Sequence, residues 1–294
     1  MTVKLSQHVS DLFVYVLVPG LAVILPARTS RWMIRKVSAW HWLMGALADA
    51  AFQCADRFVE ITDEAEWKSR WKQVELLDVR DLYLMLCGRS ATVLAEIDCD
   101  LPLQAVTDKV MIGMHWGPSI SILKLLDAAG LKPAFPYRPT EKDVLRIRPF
   151  LYLFSRLAAR YMVKVMRERA VPVGGAGTRL RAMLDQPGSI VALMDAPPMQ
   201  GRSTIAVQVL DHQIHLNAGF PKSLAEKHKE YFFYAISLST DGTTRKKLEL
   251  QGPFISENAQ EFLQEYAGFL DRHLASDPAQ WRMWHAAQQL FAGS

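Results

Sequence analysis

Two hydrophobic textures follow one another along this chain. From Leu12 to Pro26 (LFVYVLVPGLAVILP), fifteen residues pass without a charge and nearly all are apolar. A straight membrane span needs roughly 20 apolar residues. Pro19-Gly20 also falls mid-run, so an interfacial, half-inserted or kinked helix is predicted as readily as a full span. A hairpin buried in the core is the remaining reading of so short a stretch. From Trp32 to about Leu86, Trp40, Leu43, Leu47 and Ala51 recur at steps of three and four, which predicts two or three amphipathic helices.

After a turn-like boundary at Asp98 to Pro102, the spacing changes to short apolar runs separated by helical stretches. Lys109 to Met114 reads as a strand that ends at His115 in a Trp-Gly-Pro turn, followed by a helix over Ser119 to Ala129 with Gly130 as its stop. Pro133 to Tyr137 is a second strand, ending at Arg138. A long helix through Leu145, Phe150, Leu153, Leu157 and Tyr161 follows, and then a glycine-rich connection, Val173 to Gly177, enters another helix. Ser189 to Met194 is a buried strand ending at Asp195. Thr204 to Leu210, Tyr231 to Thr240 and Lys246 to Leu250 read as further strands, and Asn258 to Ala275 as a helix with Phe262, Tyr266, Phe269 and His273 on one face.

This βαβ rhythm predicts an α/β fold with a mostly parallel central sheet flanked by helices, behind an N-terminal helical membrane-associating region. Residues 1–30 read as an apolar anchor helix. Residues 31–294 read as one α/β domain, of which 31–100 is a helical lead-in, with no internal repeat or interdomain linker.

Composition changes this picture little. Half of the 294 residues are hydrophobic and 22% are charged, enough for a substantial core. Eight Trp, eight Tyr, thirteen Phe and twelve Met suit a core, an apolar pocket or a surface against lipid alike. The net charge of +4 is spread among acids and no nucleic-acid-binding signature is present, which argues against nucleic acid as partner. Cys54, Cys87 and Cys99 are odd in number and lack CxxC spacing, so neither a disulfide framework nor a zinc site is expected. Lys4 is nearly alone ahead of the apolar run, whereas Arg28, Arg31, Arg35 and Lys36 follow it, an asymmetry that puts the domain in the cytoplasm.

The candidate chemistry lies at the predicted strand ends. A histidine there, leading through Gly117 and Pro118 into a helix N-terminus, is well posed as a general base, and the helix N-terminus would favour a developing oxyanion; a histidine that merely fills the turn is the other reading. Arg138 is either an anion grip or a surface residue stacked on Tyr137. Asp195 is either a catalytic acid or a cap in an Asp-Ala-Pro-Pro turn. His212 and His215 point to opposite faces of a strand and do not share a metal, so no metal site is predicted. The Gly174, Gly175, Gly177 cluster lacks a Walker lysine and a dinucleotide fingerprint, and no Gly-x-Ser-x-Gly elbow marks a serine hydrolase.

Six segments, in shared order and spacing, resemble one family. They are DKVMIGMHWGPSI (Asp108 to Ile120), PAFPYRP (Pro133 to Pro139), GSIVALMDAPP (Gly188 to Pro198), NAGFPKSLAEK (Asn217 to Lys227), DPAQWRMWH (Asp277 to His285), and the apolar N-terminal helix with its basic rear flank. The chain resembles the lysophospholipid acyltransferase superfamily, and within it the lipid A late acyltransferases of the lauroyl and myristoyl transferase type. In that family a histidine takes the proton of the acceptor hydroxyl, an acid five residues on orients it, and an arginine on the next strand grips an anionic group. His115 and Arg138 match the first and third roles; the second position is Ile120. A catalytic role for Asp195 would repair that loss, although its family counterpart stands before a Gln and here Ala196 follows it. A more acidic or amine acceptor, and loss of catalysis with a lipid-binding cleft retained, are the competing explanations of Ile120; the histidine and arginine at their family positions favour retained activity.

The resemblance implies an acyltransferase on the cytoplasmic face of the bacterial inner membrane. It would take its acyl chain from an acyl-carrier-protein or CoA thioester, pass it to a glycolipid or other membrane lipid, and need no bound cofactor. Substrate contacts are expected from Trp116, Gly117, Ser119, Tyr137 and Arg138. Two rivals remain: a catalytically silent lipid-binding or scaffold protein of a lipid or polyketide-type pathway, and an acyltransferase acting on a non-lipid aryl or amino product.

Overall fold

Short apolar strands form the centre because both of their faces are covered. The computed structural model describes residues 5–137, 140–172, 176–198, 203–241, 243 and 245–291. Its strands are β1 (Ile97–Cys99), β2 (Val110–Gly113), β3 (Phe135–Tyr137), β4 (Ala170–Pro172), β5 (Ile190–Leu193), β6 (Thr204–Val209), β7 (His212–Asn217), β8 (Tyr231–Leu238) and β9 (Lys246–Phe254). The central sheet has the order β1-β9-β8-β2-β5, in which only the β8–β9 hairpin pairs antiparallel. Ala134 bridges Ile190, so the β3–β4 pair continues beyond β5, whereas β6 and β7 make a separate hairpin. The strand β4, three residues closed by Pro172, is not anticipated in the sequence.

Every residue of β2 is buried, as expected of a parallel strand with helices on both sides. Alternate positions feed two cores. Ile112, Ala192 and Phe233 join Phe262, Tyr266 and Phe269 of the C-terminal helix Ala259–Ser276, whose first turn is capped by the Asn258 side chain. Met111, Val191 and Phe232 face the other way, onto the helices Ile122–Ala128 and Pro149–Met166.

The lead-in carries three long helices, α2 (Ala27–Ser38), α3 (Gly45–Ala55) and α4 (Glu64–Leu86), and a short one, Ser90–Leu94. At the base of α2 lies a cluster of buried charges. Arg80 of α4 holds Asp81 at 3.0 Å and Glu96 at 2.7 Å, Lys246 is paired with Asp81, and Arg31 reaches Glu96 at 2.5 Å. Such a network adds little net stability, but removing one member strands the others.

The long helix expected over Leu145 to Tyr161 is broken. Asp143–Ile147 and Pro149–Met166 are separate helices, because Pro149 pushes Arg148 out of helical geometry to φ −140° and ψ 74°. The released Arg148 side chain grips Asp11 through two bonds of 2.9 and 2.7 Å.

The N-terminal apolar segment is one helix, α1 (Leu5–Ile24), long and apolar enough to cross a membrane by length and composition, and a third of its apolar window is buried on the domain. Leu5, Leu21 and Ile24 are exposed, while Asp11 is buried against Arg148. Pro19 has no N–H to offer the carbonyl of Tyr15, and the helix widens into a π turn over Phe13–Leu17. The Tyr83 hydroxyl of α4 donates to that carbonyl instead, and Arg89 donates to the carbonyl of Val23 near the helix end. A Tyr83→Phe variant should therefore unfold with about 1–3 kcal/mol less stability, the cost of an orphaned carbonyl. Urea titration in a mild detergent, followed by circular dichroism, measures it, and an unchanged midpoint would mean that water serves the carbonyl equally well.

A histidine–aspartate pair at the end of the central strands

β2 and β5 run parallel in register, Gly113 beside Leu193, so the residues that follow them emerge together. Those residues are His115 and Asp195. The His115 ring places Nδ1 2.8 Å from Asp195 Oδ1, and its backbone N–H donates to Oδ2 at 2.8 Å. The Trp281 indole N–H donates to the same Oδ2, also at 2.8 Å.

Burial alone would push the Asp195 carboxyl upward; His115 and the two N–H donors outweigh it, and the group is held below the usual carboxylate range. An ionised Asp195 fixes the neutral imidazole with its proton on Nδ1 and the lone pair on Nε2. Asp195 is fully buried, whereas the His115 side chain is 35% exposed. The dyad therefore has a closed acidic side and an accessible basic side, the polarity a general base requires.

The turn carrying His115 is held from the C-terminal segment. Arg282 N–H donates to the His115 carbonyl at 2.8 Å, Gly117 N–H donates to the Gln280 carbonyl at 2.9 Å, and Trp116 and Trp281 form an antiparallel bridge. Gly117 sits at φ +53°, and a Cβ there would meet the Ile236 carbonyl oxygen at 1.9 Å. Trp116 is 1% exposed and its indole donates to Ser237 Oγ at 2.9 Å. These two residues, expected to touch substrate, are instead buried supports of the turn.

Ile120 occupies the position where the resemblance calls for an acid, and a different carboxylate lies beneath it. Asp78 of α4 accepts the Ile120 N–H at 2.8 Å and is bound at 2.7 Å by Arg282, which also grips Glu75 at 2.7 and 2.9 Å. Burial holds the Asp78 carboxyl above the usual range despite Arg282 and the Ile120 N–H. The Ile120 and Gly117 N–H groups are thus both taken by acceptors within the protein. The helix begins only at Ile122, whose own N–H donates to the Ser119 carbonyl at 3.1 Å.

Ser119 and Tyr137 are half-buried, and Tyr137 ends β3 on the same side of the sheet. Arg138 lies outside the described residues, as do Gly174 and Gly175. His212 is exposed beside Phe58, His215 lies against Thr204, and no cluster of metal-binding side chains occurs among the described residues. Trp281, Arg282 and Asp78 were not singled out from the sequence. The signal for the first two was the closing DPAQWRMWH segment, in which Trp281 and Arg282 find carboxylate partners 86 to 207 residues away.

No protein-family model matches the chain, and no curated protein matches it significantly.

Proposed function

We propose that this protein is an acyltransferase in which His115 is the base and Asp195 its orienting partner. The observation that carries the reading is the 2.8 Å contact between Nδ1 and a fully buried carboxylate on a ring still 35% exposed. Nε2 takes the proton of the acceptor hydroxyl as its oxygen attacks the thioester carbonyl. The tetrahedral intermediate collapses with cleavage of the C–S bond, and the imidazolium returns the proton to the departing thiolate, so His115 ends each cycle neutral. The donor is an acyl-carrier-protein or CoA thioester and the acceptor a glycolipid or other membrane lipid, with Tyr137 and Ser119 on the substrate side and Arg138 as the proposed grip on an anionic group. In this reading the exposed side of α1 lies against the cytoplasmic face of the bacterial inner membrane, joined by Leu153 and Leu157 of the adjoining helix Pro149–Met166, both exposed.

Ile120 sustains one rival, a silent lipid-binding scaffold. Mass spectrometry of lipid extracts from cells with the wild-type gene, a His115→Ala version or no gene separates the two. A lipid missing from both the alanine and the gene-less strains supports transfer through His115. Full restoration of the wild-type profile by His115→Ala would sink it and leave the scaffold.

A further inference from the structure

The side of α2 carrying Arg28, Arg31, Trp32 and Arg35 opens onto a cavity of about 450 Å³, closed on its far side by Asp241 and Arg245 of the β8–β9 connection. The spacing 28, 31, 35 sets three like charges on one helix face, which an isolated helix disfavours. Nearby acids only partly offset them. Glu96 pairs with Arg31, and Asp98 holds Arg245 at 3.0 and 2.5 Å. Asp241 is the one carboxylate on the wall among the described residues. Hydrogen bonds from Thr243 and Ser239 bring it down to about 2, so it stays ionised while bound within its own loop. Beneath the floor lies the buried cluster of Arg80, Lys246, Asp81 and Glu96. Taken together, Arg28, Arg31, Arg35, Arg245, Arg80 and Lys246 face Asp81, Glu96, Asp98 and Asp241, an excess of two positive charges. The Arg31 Nε is buried and has no hydrogen-bond acceptor, so Glu96 does not saturate this guanidinium.

Three features narrow the ligand. A charge excess of two matches a phosphate monoester, which carries about −1.5 to −2 near neutral pH, better than a singly charged diester. The volume, about 450 Å³, is that of a small-molecule site and exceeds what a bare phosphate fills. Trp32 is 54% exposed and offers a flat apolar wall for the organic body of the ligand. The location fits the proposed reaction. β8 runs parallel to β2, so its hairpin rises from the sheet end that bears His115. The hairpin joins the next two strands, β8 and β9, roughly 5 to 10 Å away laterally. α2 also begins three residues after α1 ends, which sets the cavity at the rim of the apolar helix.

We propose that this cavity binds a phosphate monoester carried by one of the two acyl-transfer substrates, in a subsite separate from the His115–Asp195 pair. The identity of the carrier rests on the acyl-transfer reading. Two sources share the chemistry: a monoester head group on a membrane lipid, and the 3′-phosphate of a CoA donor.

Binding by the full-length protein, measured without turnover, tests the proposal. The first arm compares vesicles containing phosphatidic acid with vesicles containing phosphatidylglycerol at matched surface charge. The second compares CoA with 3′-dephospho-CoA for protein in neutral micelles, by calorimetry. One pair should show a preference of about 10-fold for the monoester, equivalent to about 1.4 kcal/mol, and the responding pair identifies the source. Arg28→Gln/Arg35→Gln should erase that preference, whereas Lys36→Gln/Arg57→Gln, which removes as much charge outside the cavity, should keep it. Should the arginine pair fail to fold, Trp32→Ala serves in its place, with weaker monoester binding expected. Equal binding within both probe pairs, or equal loss in the control variant, would overturn the proposal. His115→Ala should keep the preference while ending transfer, so failure of this subsite and failure of the catalytic reading give different results.

Discussion

Asp195→Asn is expected to slow acyl transfer by about 10²- to 10⁴-fold while leaving the protein folded, because an amide neither holds the Nδ1 tautomer nor stabilises the imidazolium. His115→Ala should be at least as slow, and the double variant no slower than His115→Ala alone, since a base and its orienting partner act as a unit. Single-turnover transfer from a thioester donor to a lipid extract measures all three. Multiplicative losses would mean that Asp195 acts elsewhere than through His115. The same aspartate carries a pH signature. Its carboxyl is lower in the folded protein than in the unfolded chain, so its stabilisation is complete above the ordinary carboxylate range near about 4. That stabilisation is lost as the pH falls through the folded value. Asp78, held high by burial, acts with the opposite sign and is common to both proteins. The difference in unfolding free energy between wild type and Asp195→Asn should therefore shrink on acidification. A difference independent of pH would show that Asp195 is not ionised in the fold.

Gly117→Ala should cost at least about 3 kcal/mol and abolish activity with it. The methyl group would overlap the Ile236 carbonyl at 1.9 Å, and backbone at φ +53° adds strain of its own. Relief requires the turn to lift off β8, which breaks the Gly117–Gln280 bond and moves His115 away from Asp195. Gly88, also at positive φ but with open space around it, is the control, since Gly88→Ala meets no neighbouring atom. Chemical denaturation of both variants measures the contrast. Equal losses would make conformation, not the close approach to Ile236, the whole cause.

What the sequence disclosed was local. The run from Lys109 to Met114 announces β2 because five apolar or small residues end in a residue that breaks the pattern, and His115 is that residue. Asp195 was visible for the same reason at the end of β5, so the pair could be named as candidates before their distance was known. Its second donor could not: Trp281 lies 86 positions further on, and nothing in hydrophobic spacing says which tryptophan will meet which carboxylate. Asp78 was hidden in the same way. It lies mid-helix in α4, where an acid reads as solvent-facing, and its burial depends on Arg282 arriving from the far end of the chain. β4 escaped because three residues ending in proline carry no period. The break at Arg148 was legible in principle from Pro149, but the surrounding apolar residues continued the helical spacing across it.

The grip of Tyr83 and Arg148 on α1 also bears on how a catalyst of this kind would search for its acceptor. A loosely tethered domain samples a range of heights and tilts above a bilayer, whereas α1 is fastened along its length to α4 and to the helix beginning at Pro149. Were α1 to rest on lipid as proposed, His115 would keep one elevation and one heading. Acceptors would then arrive by lateral diffusion within a single leaflet, and donors from the solvent above. The rate would follow the areal density of acceptor lipid rather than its bulk concentration, and diluting that lipid with inert phospholipid at constant total amount would slow the reaction.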